Sequence, residues 1–125
     1  MMRPSLAVLL IALTSAVALG AVSASHWERV PAKDHARPNP LAGQPAATAA
    51  GAFVYSEHCQ QCHQANAQGD GHKRPSLRSE RIRSATDGDI EWFLRQGDLR
   101  NGMPSWSSLP QAQRWQLVTY LRSIQ

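Results

Sequence analysis

The sequence predicts a small all-α domain. Apolar residues recur at helical spacing in three segments, and no stretch shows the alternation of a strand. At 125 residues the chain has room for one domain. Aromatic residues make up only 6%, and a domain this small often needs a cofactor or a covalent staple.

The first segment reads as a targeting signal. Arg3 gives a positive start, and Leu6 to Val22 is a run of 17 residues without charge. Val22-Ser23-Ala24 then offers the small residues that a signal peptidase accepts. Residues 1–24 are read as a signal peptide, with an uncleaved N-terminal anchor as the alternative, because the run is long for a signal core and short for a span. Either reading exports the rest of the chain to the periplasm, tethered to the inner membrane if the segment is retained. Residues 25–47 read as a flexible linker, since Pro31, Pro38, Pro40 and Pro45 interrupt any helix.

A domain is expected over residues 48–125. Its first helix spans about 48–58, favoured by Ala49, Ala50 and Ala52, capped by Thr48, with Phe53 and Val54 as its apolar face. Residues 64–84 read as a long loop punctuated by Gly69, Gly71 and Pro75. A second helix runs from Thr86, its cap, to about Gln96, with Ile90, Phe93 and Leu94 on one stripe and Gly97 as its stop. A short loop carries Gly102-Met103-Pro104. The last helix opens on a capping box of Ser108 and Gln111 and buries Leu117, Val118, Leu121 and Ile124.

The chemistry lies between the first helix and the long loop, in Cys59-Gln60-Gln61-Cys62-His63. Cys-x-x-Cys-His is the attachment motif of c-type haem. Two thiols one helical turn apart reach two vinyl groups on one porphyrin edge, and the adjacent imidazole lies close enough to bind iron. Three other uses of the pair fit less well. A disulfide across two intervening residues closes a very small loop and removes little chain entropy. A thioredoxin-like site sits after a strand at the start of a helix, whereas here a helix precedes the motif. Structural zinc needs about four protein ligands, and the chain has two cysteines with no paired histidine spacing. No internal repeat suggests a second haem.

A second axial ligand is expected from Met103. Met1 and Met2 belong to the targeting segment, so Met103 is the one methionine of the exported chain. It sits 40 residues after His63, in a loop where Gly102 allows close backbone approach and Pro104 stiffens the exit. The alternative role is a core gap-filler, and His72 is the rival ligand.

The ordered set of Gly51, Tyr55, Cys59-x-x-Cys62-His63, Pro75-Ser76-Leu77, Gly102-Met103-Pro104 and a terminal helix with Trp115, Tyr120 and Leu121 resembles the monohaem class I cytochrome c family over residues 48–125. The resemblance implies a small cytochrome c fold, with three to four helices wrapped around one covalently bound haem. It implies that the terminal helices cross at Gly51, with Tyr120 packed on the first helix, and that the Pro75 carbonyl accepts a hydrogen bond from His63 Nδ1. Trp106 would lie near a propionate or simply pack.

The expected function is single-electron transfer by a haem c with His63 and Met103 as axial ligands, not an enzyme activity. The alternatives are an electron-relay subunit of a periplasmic dehydrogenase or oxidase complex, and a ligand-binding haem sensor. Redox proteins are the expected donor and acceptor, met by a monomer or by a subunit of a redox complex. The net charge of +4 falls to +3 when Arg3 leaves with residues 1–24. That surplus, with no aromatic-interleaved basic stripe, argues against a nucleic-acid partner.

Overall fold

The computed structural model describes residues 25–125, so the expected targeting segment, residues 1–24, lies outside the described residues. Among the described residues there are six α-helices and no strand: α1 (Ala32–His35), α2 (Pro45–His58), α3 (Gln60–His63), α4 (Glu80–Ser84), α5 (Asp87–Gln96) and α6 (Gln111–Ser123). Short 3-10 turns occupy His26–Arg29 and Leu99–Asn101. No helix among the described residues is long and apolar enough to cross a membrane.

α2 and α6 form the frame. α2 begins at Pro45, earlier than Thr48, because proline is well suited to the first helical position, where its missing N–H has no partner to lose. Thr48 is consequently inside the helix, where its hydroxyl donates to the Gln44 carbonyl. Val54 is buried as expected, but Phe53 is 68% exposed. α6 starts after Pro110, whose own extended backbone occupies the N-cap position. Ser108 therefore stands two residues too early, and the expected box with Gln111 does not form. The Pro110 carbonyl instead accepts from the N–H groups of Gln113 and Arg114.

The two helices touch backbone to backbone at Gly51. A Cβ at this position would lie 2.0 Å from the Gln116 carbonyl oxygen and 2.8 Å from Tyr120 Cβ. Around this point Val54, Tyr55, Leu117, Val118 and Leu121 form the core, and the Tyr55 and Tyr120 rings pack 5.3 Å apart.

α5 closes the third side. Thr86 Oγ1 accepts from the Asp89 N–H and Asp89 Oδ2 accepts from the Thr86 N–H, a reciprocal cap that satisfies two donors at the helix start. Gly97 ends the helix at φ +67°, a conformation that favours glycine.

The stretch expected to be a flexible linker is packed over most of its length. Trp27 stacks on Phe93 at 4.4 Å. Asp34 is buried against Arg95, and its carbonyl oxygen would lie 1.9 Å from a Cβ at Gly88. Thr86 Oγ1 donates to the His35 carbonyl at 2.9 Å, and Asn39 Nδ2 donates to Thr119 Oγ1 at 3.0 Å. The prolines do interrupt long helices here. The contacts that hold the segment come from residues 50 to 80 positions away, which local composition does not report.

Gly51→Ala should destabilise the fold by about 2 kcal/mol or more, since the overpacking at the crossing outweighs the gain of up to about 1 kcal/mol in helix propensity. Denaturant unfolding of the holoprotein measures this. An unchanged or raised midpoint would mean that the helices can separate at Gly51 without loss.

Candidate functional site

A cavity of about 350 Å³ opens between α2, α5, α6 and the loops before and after α5. Ile82, Ile90, Leu94, Leu117 and Leu121 give it apolar walls, and Cys59, Cys62, His63, Pro75 and Met103 all line it. The helix ends and loops that carry these residues are set by local backbone chemistry.

Cys59 closes α2, and its non-helical φ of −119° turns the chain into the single turn of α3. Cys62 and His63 follow on that turn, and Gln64 ends it at φ 69°. The Tyr55 hydroxyl donates to the Gln64 carbonyl at 2.6 Å, anchoring the end of the motif to the helix before it. Burial holds the Tyr55 hydroxyl protonated far above the ordinary tyrosine range, with Cys59 and Tyr120 adding to the effect, which suits its role as a donor. Burial likewise pushes the Cys59 thiol up to about 12, with Cys62 adding to it. Both cysteines are free, Cys59 buried and Cys62 half-buried.

His63 is buried and its Nδ1 lies 2.9 Å from the Pro75 carbonyl oxygen. A carbonyl can only accept, so Nδ1 carries the proton and Nε2 is left with a free lone pair. Pro75 is held in place by the preceding turn. Asp70 Oδ1 accepts from the N–H groups of His72 and Arg74, and the Arg74 carbonyl accepts from the Asp70 N–H. These backbone hydrogen bonds, His72 first and then Arg74, hold the Asp70 carboxyl below its ordinary range. Leu77 N–H donates to the Ala67 carbonyl at 2.8 Å. The expected long loop over 64–84 is thus an internally bonded turn followed by α4.

Met103 is half-buried on the loop after α5. Asp98 and Met103 exchange two backbone hydrogen bonds of 2.9 Å, so the loop closes as a narrow ring. Gly102 at φ +81° makes the turn, and Pro104 packs on Gly97, where a Cβ would stand 2.6 Å from the Pro104 carbonyl. The other histidines are dispersed. His72 is exposed and does not line the cavity, His35 pairs with Asp89, and His26 packs against Phe93 and Trp92. His58 does line the cavity, 5.1 Å from the Trp106 ring.

The donor set in this cavity suits a c-type haem: two thiols, the His63 imidazole next to them, one thioether and apolar walls, with His58 at the lining beside Trp106. Among the described residues no group of three or more His, Cys, Asp or Glu could hold a bare metal ion. The sequence reading missed Trp27, which also lines the cavity, and Asp70. Asp70-Gly71 carries a local turn signal that points to Asp70, whereas nothing local points to Trp27.

A family model described as cytochrome C oxidase, cbb3-type, subunit III matches residues 46–121, well over half of the chain. No curated protein and no solved structure matches it.

Asp70→Ala leaves two N–H groups without their acceptor and should speed amide exchange at His72 and Arg74 by roughly fivefold. Because the carboxyl is held below its ordinary value, the wild-type protection should be complete above the ordinary carboxylate range and fade only as the pH drops through the lowered value. Exchange rates equal to wild type in the variant would show that the turn holds without Asp70.

Proposed function

The chain belongs to the cytochrome c domain family of the cbb3-type oxidase subunit III kind, and on that premise we propose that it is a monohaem electron-transfer protein with His63 and Met103 as axial ligands. Domains of this family carry covalent haem c and transfer electrons. The observation that carries the finer reading is the single cavity on which Cys59, Cys62, His63 and Met103 meet. When bound, the haem supplies a one-electron Fe(III)/Fe(II) couple.

The chain's own residues do the rest. Cys59 and Cys62 fasten the group through thioethers. His63 presents Nε2, and the Pro75 carbonyl, by holding the Nδ1 proton, fixes the tautomer and makes the imidazole a better donor. The soft thioether of Met103 favours Fe(II) and raises the potential. With His63 and Met103 both holding the iron, small molecules would find no open site, which favours electron transfer over ligand sensing. The bonded turn at 67–77, which carries the Pro75 acceptor of His63, and the closed ring at 98–103, which carries Met103, restrain the supports of both ligands. Restrained ligands limit the rearrangement that accompanies each electron.

The Cys59-x-x-Cys62-His63 chemistry, which needs reduced thiols and haem delivered outside the cytoplasm, supports a periplasmic location, as does the pattern of residues 1–24. Redox proteins are the partners on this reading. The family's kinship with an oxidase subunit favours a second reading, in which the domain relays electrons within an oxidase complex. Co-purification with a larger oxidoreductase discriminates it from a free carrier.

The test is the visible spectrum of the protein matured with haem, recorded oxidised, reduced, and reduced under carbon monoxide, beside Met103→Ala. Wild type should be low-spin, with a far-red sulfur–iron band and no carbon monoxide uptake. The variant should lose the band, bind carbon monoxide nearly stoichiometrically and show a lower potential. Ready uptake by wild type would make a ligand sensor the better reading, and absence of attached haem would overturn the proposal.

A further inference from the structure

Glu91 on α5 is 0% exposed and does not line the cavity. Three guanidinium groups converge on it. Arg37 Nη1 and Arg95 Nε donate to Oε2 at 2.8 and 2.9 Å, and Arg114 Nε donates to Oε1 at 2.8 Å. Arg37 comes from the N-terminal segment, Arg95 from α5 and Arg114 from α6, and none of them lines the cavity. Asp34 completes the cluster through Arg95 and, at 3.6 Å, Arg37. Three positive charges thus face two negative ones.

The same cluster grips the loop that follows Met103. Arg114 Nη1 donates to the carbonyls of Ser107 and Leu109. The Arg95 carbonyl accepts from Ser105 Oγ at 2.6 Å, and the Leu94 carbonyl accepts from the Trp106 N–H at 2.8 Å. Arg114 thus points Nη1 at those carbonyls while Glu91 holds its Nε. Without the Glu91 charge, Asp34 would be left as the one carboxylate beside Arg37 and Arg95, Arg114 would lose its carboxylate partner, and the uncompensated guanidiniums would repel one another.

We propose that residues 25–43 act as a strap that positions the methionine loop, with Arg37 and Glu91 as the positioning residues that join them. The docked strap supplies the third guanidinium partner that holds the Glu91 carboxylate in place, and Glu91 in turn aims Arg114 at segment 103–109. Trp27 gives the strap a direct place in the cavity wall. Loosening the strap therefore weakens the Met103–iron bond from a distance. This rests on the reading of Met103 as an iron ligand.

The test uses full-length holoprotein with Arg37→Gln and Glu91→Gln, beside Glu80→Gln, which breaks the exposed Arg83–Glu80 pair. Three quantities are read: the far-red sulfur–iron band, the rate of carbon monoxide uptake when reduced, and amide exchange along the chain. Arg37→Gln should raise both carbon monoxide uptake and exchange of the 103–109 amides roughly tenfold, leaving 67–77 unchanged, as a local opening does. Glu91→Gln should do more and lose most of the band, and Glu80→Gln should match wild type. If Glu91→Gln does not fold, Arg37→Gln decides. Band, uptake and exchange equal to wild type in Arg37→Gln would overturn the strap while leaving Met103 ligation standing. Exchange accelerated evenly over all segments would also overturn it, because that marks a general loss of stability. A wild type without the sulfur–iron band removes the methionine reading and this proposal with it.

Discussion

The backbone contact of α2 and α6 at Gly51 is the constraint from which the rest of the structure follows. Only a residue without a Cβ lets the Gln116 carbonyl approach so closely. That crossing brings the end of α2, with Cys59, beside Leu117 and Leu121 of α6. One wall of the cavity thus comes from each terminal helix. α5 and its flanking loops supply the remainder, and apolar burial across the three helices makes the arrangement cooperative.

A second, polar constraint ties the outer parts to this frame. A buried carboxylate is tolerable only when it is paired and hydrogen-bonded. Glu91 meets that requirement with guanidiniums from three separate elements. Burial by itself would lower the Arg95 value, but the hydrogen bonds and charges of Glu91 and Asp34 outweigh it and raise it. Such a cluster contributes less net stability than a count of its bonds suggests, because desolvating each charge is costly. What the cluster does show is connection: it joins the N-terminal segment, α5 and the 107–109 loop through one buried carboxylate.

Electron transfer by a domain of this family asks for ligands that barely move as the iron changes charge. On the proposed ligation, the two loops that carry Pro75 and Met103 would meet that demand with short backbone bonds and with glycines placed where side chains would collide. Gly69 is one of them, since a Cβ there would stand 1.9 Å from the Arg74 carbonyl. The apolar lining adds a low-dielectric surround, so the axial atoms and the charges nearby weigh heavily on the potential.

Much of the domain was legible in the sequence. The stripe of Ile90 and Leu94, the Thr86 cap and the apolar face of α6 obey local rules, because helical spacing and capping act within a few residues. The Cys59–His63 motif was legible for the same reason, its chemistry lying within one turn. Element starts were less so. Pro45 reads as a breaker in isolation but serves as a helix start, and Ser108 reads as a cap that Pro110 displaces. The largest difference concerns residues 25–47, whose composition suggests a flexible linker but which pack against α5 and α6 and, from Pro45, begin α2. Sequence pattern carries the helices, the attachment motif and the methionine turn, since each depends on near neighbours. The docking of Trp27 on Phe93 and of Arg37 on Glu91 joins residues distant along the chain, and only the packed molecule brings those partners within reach.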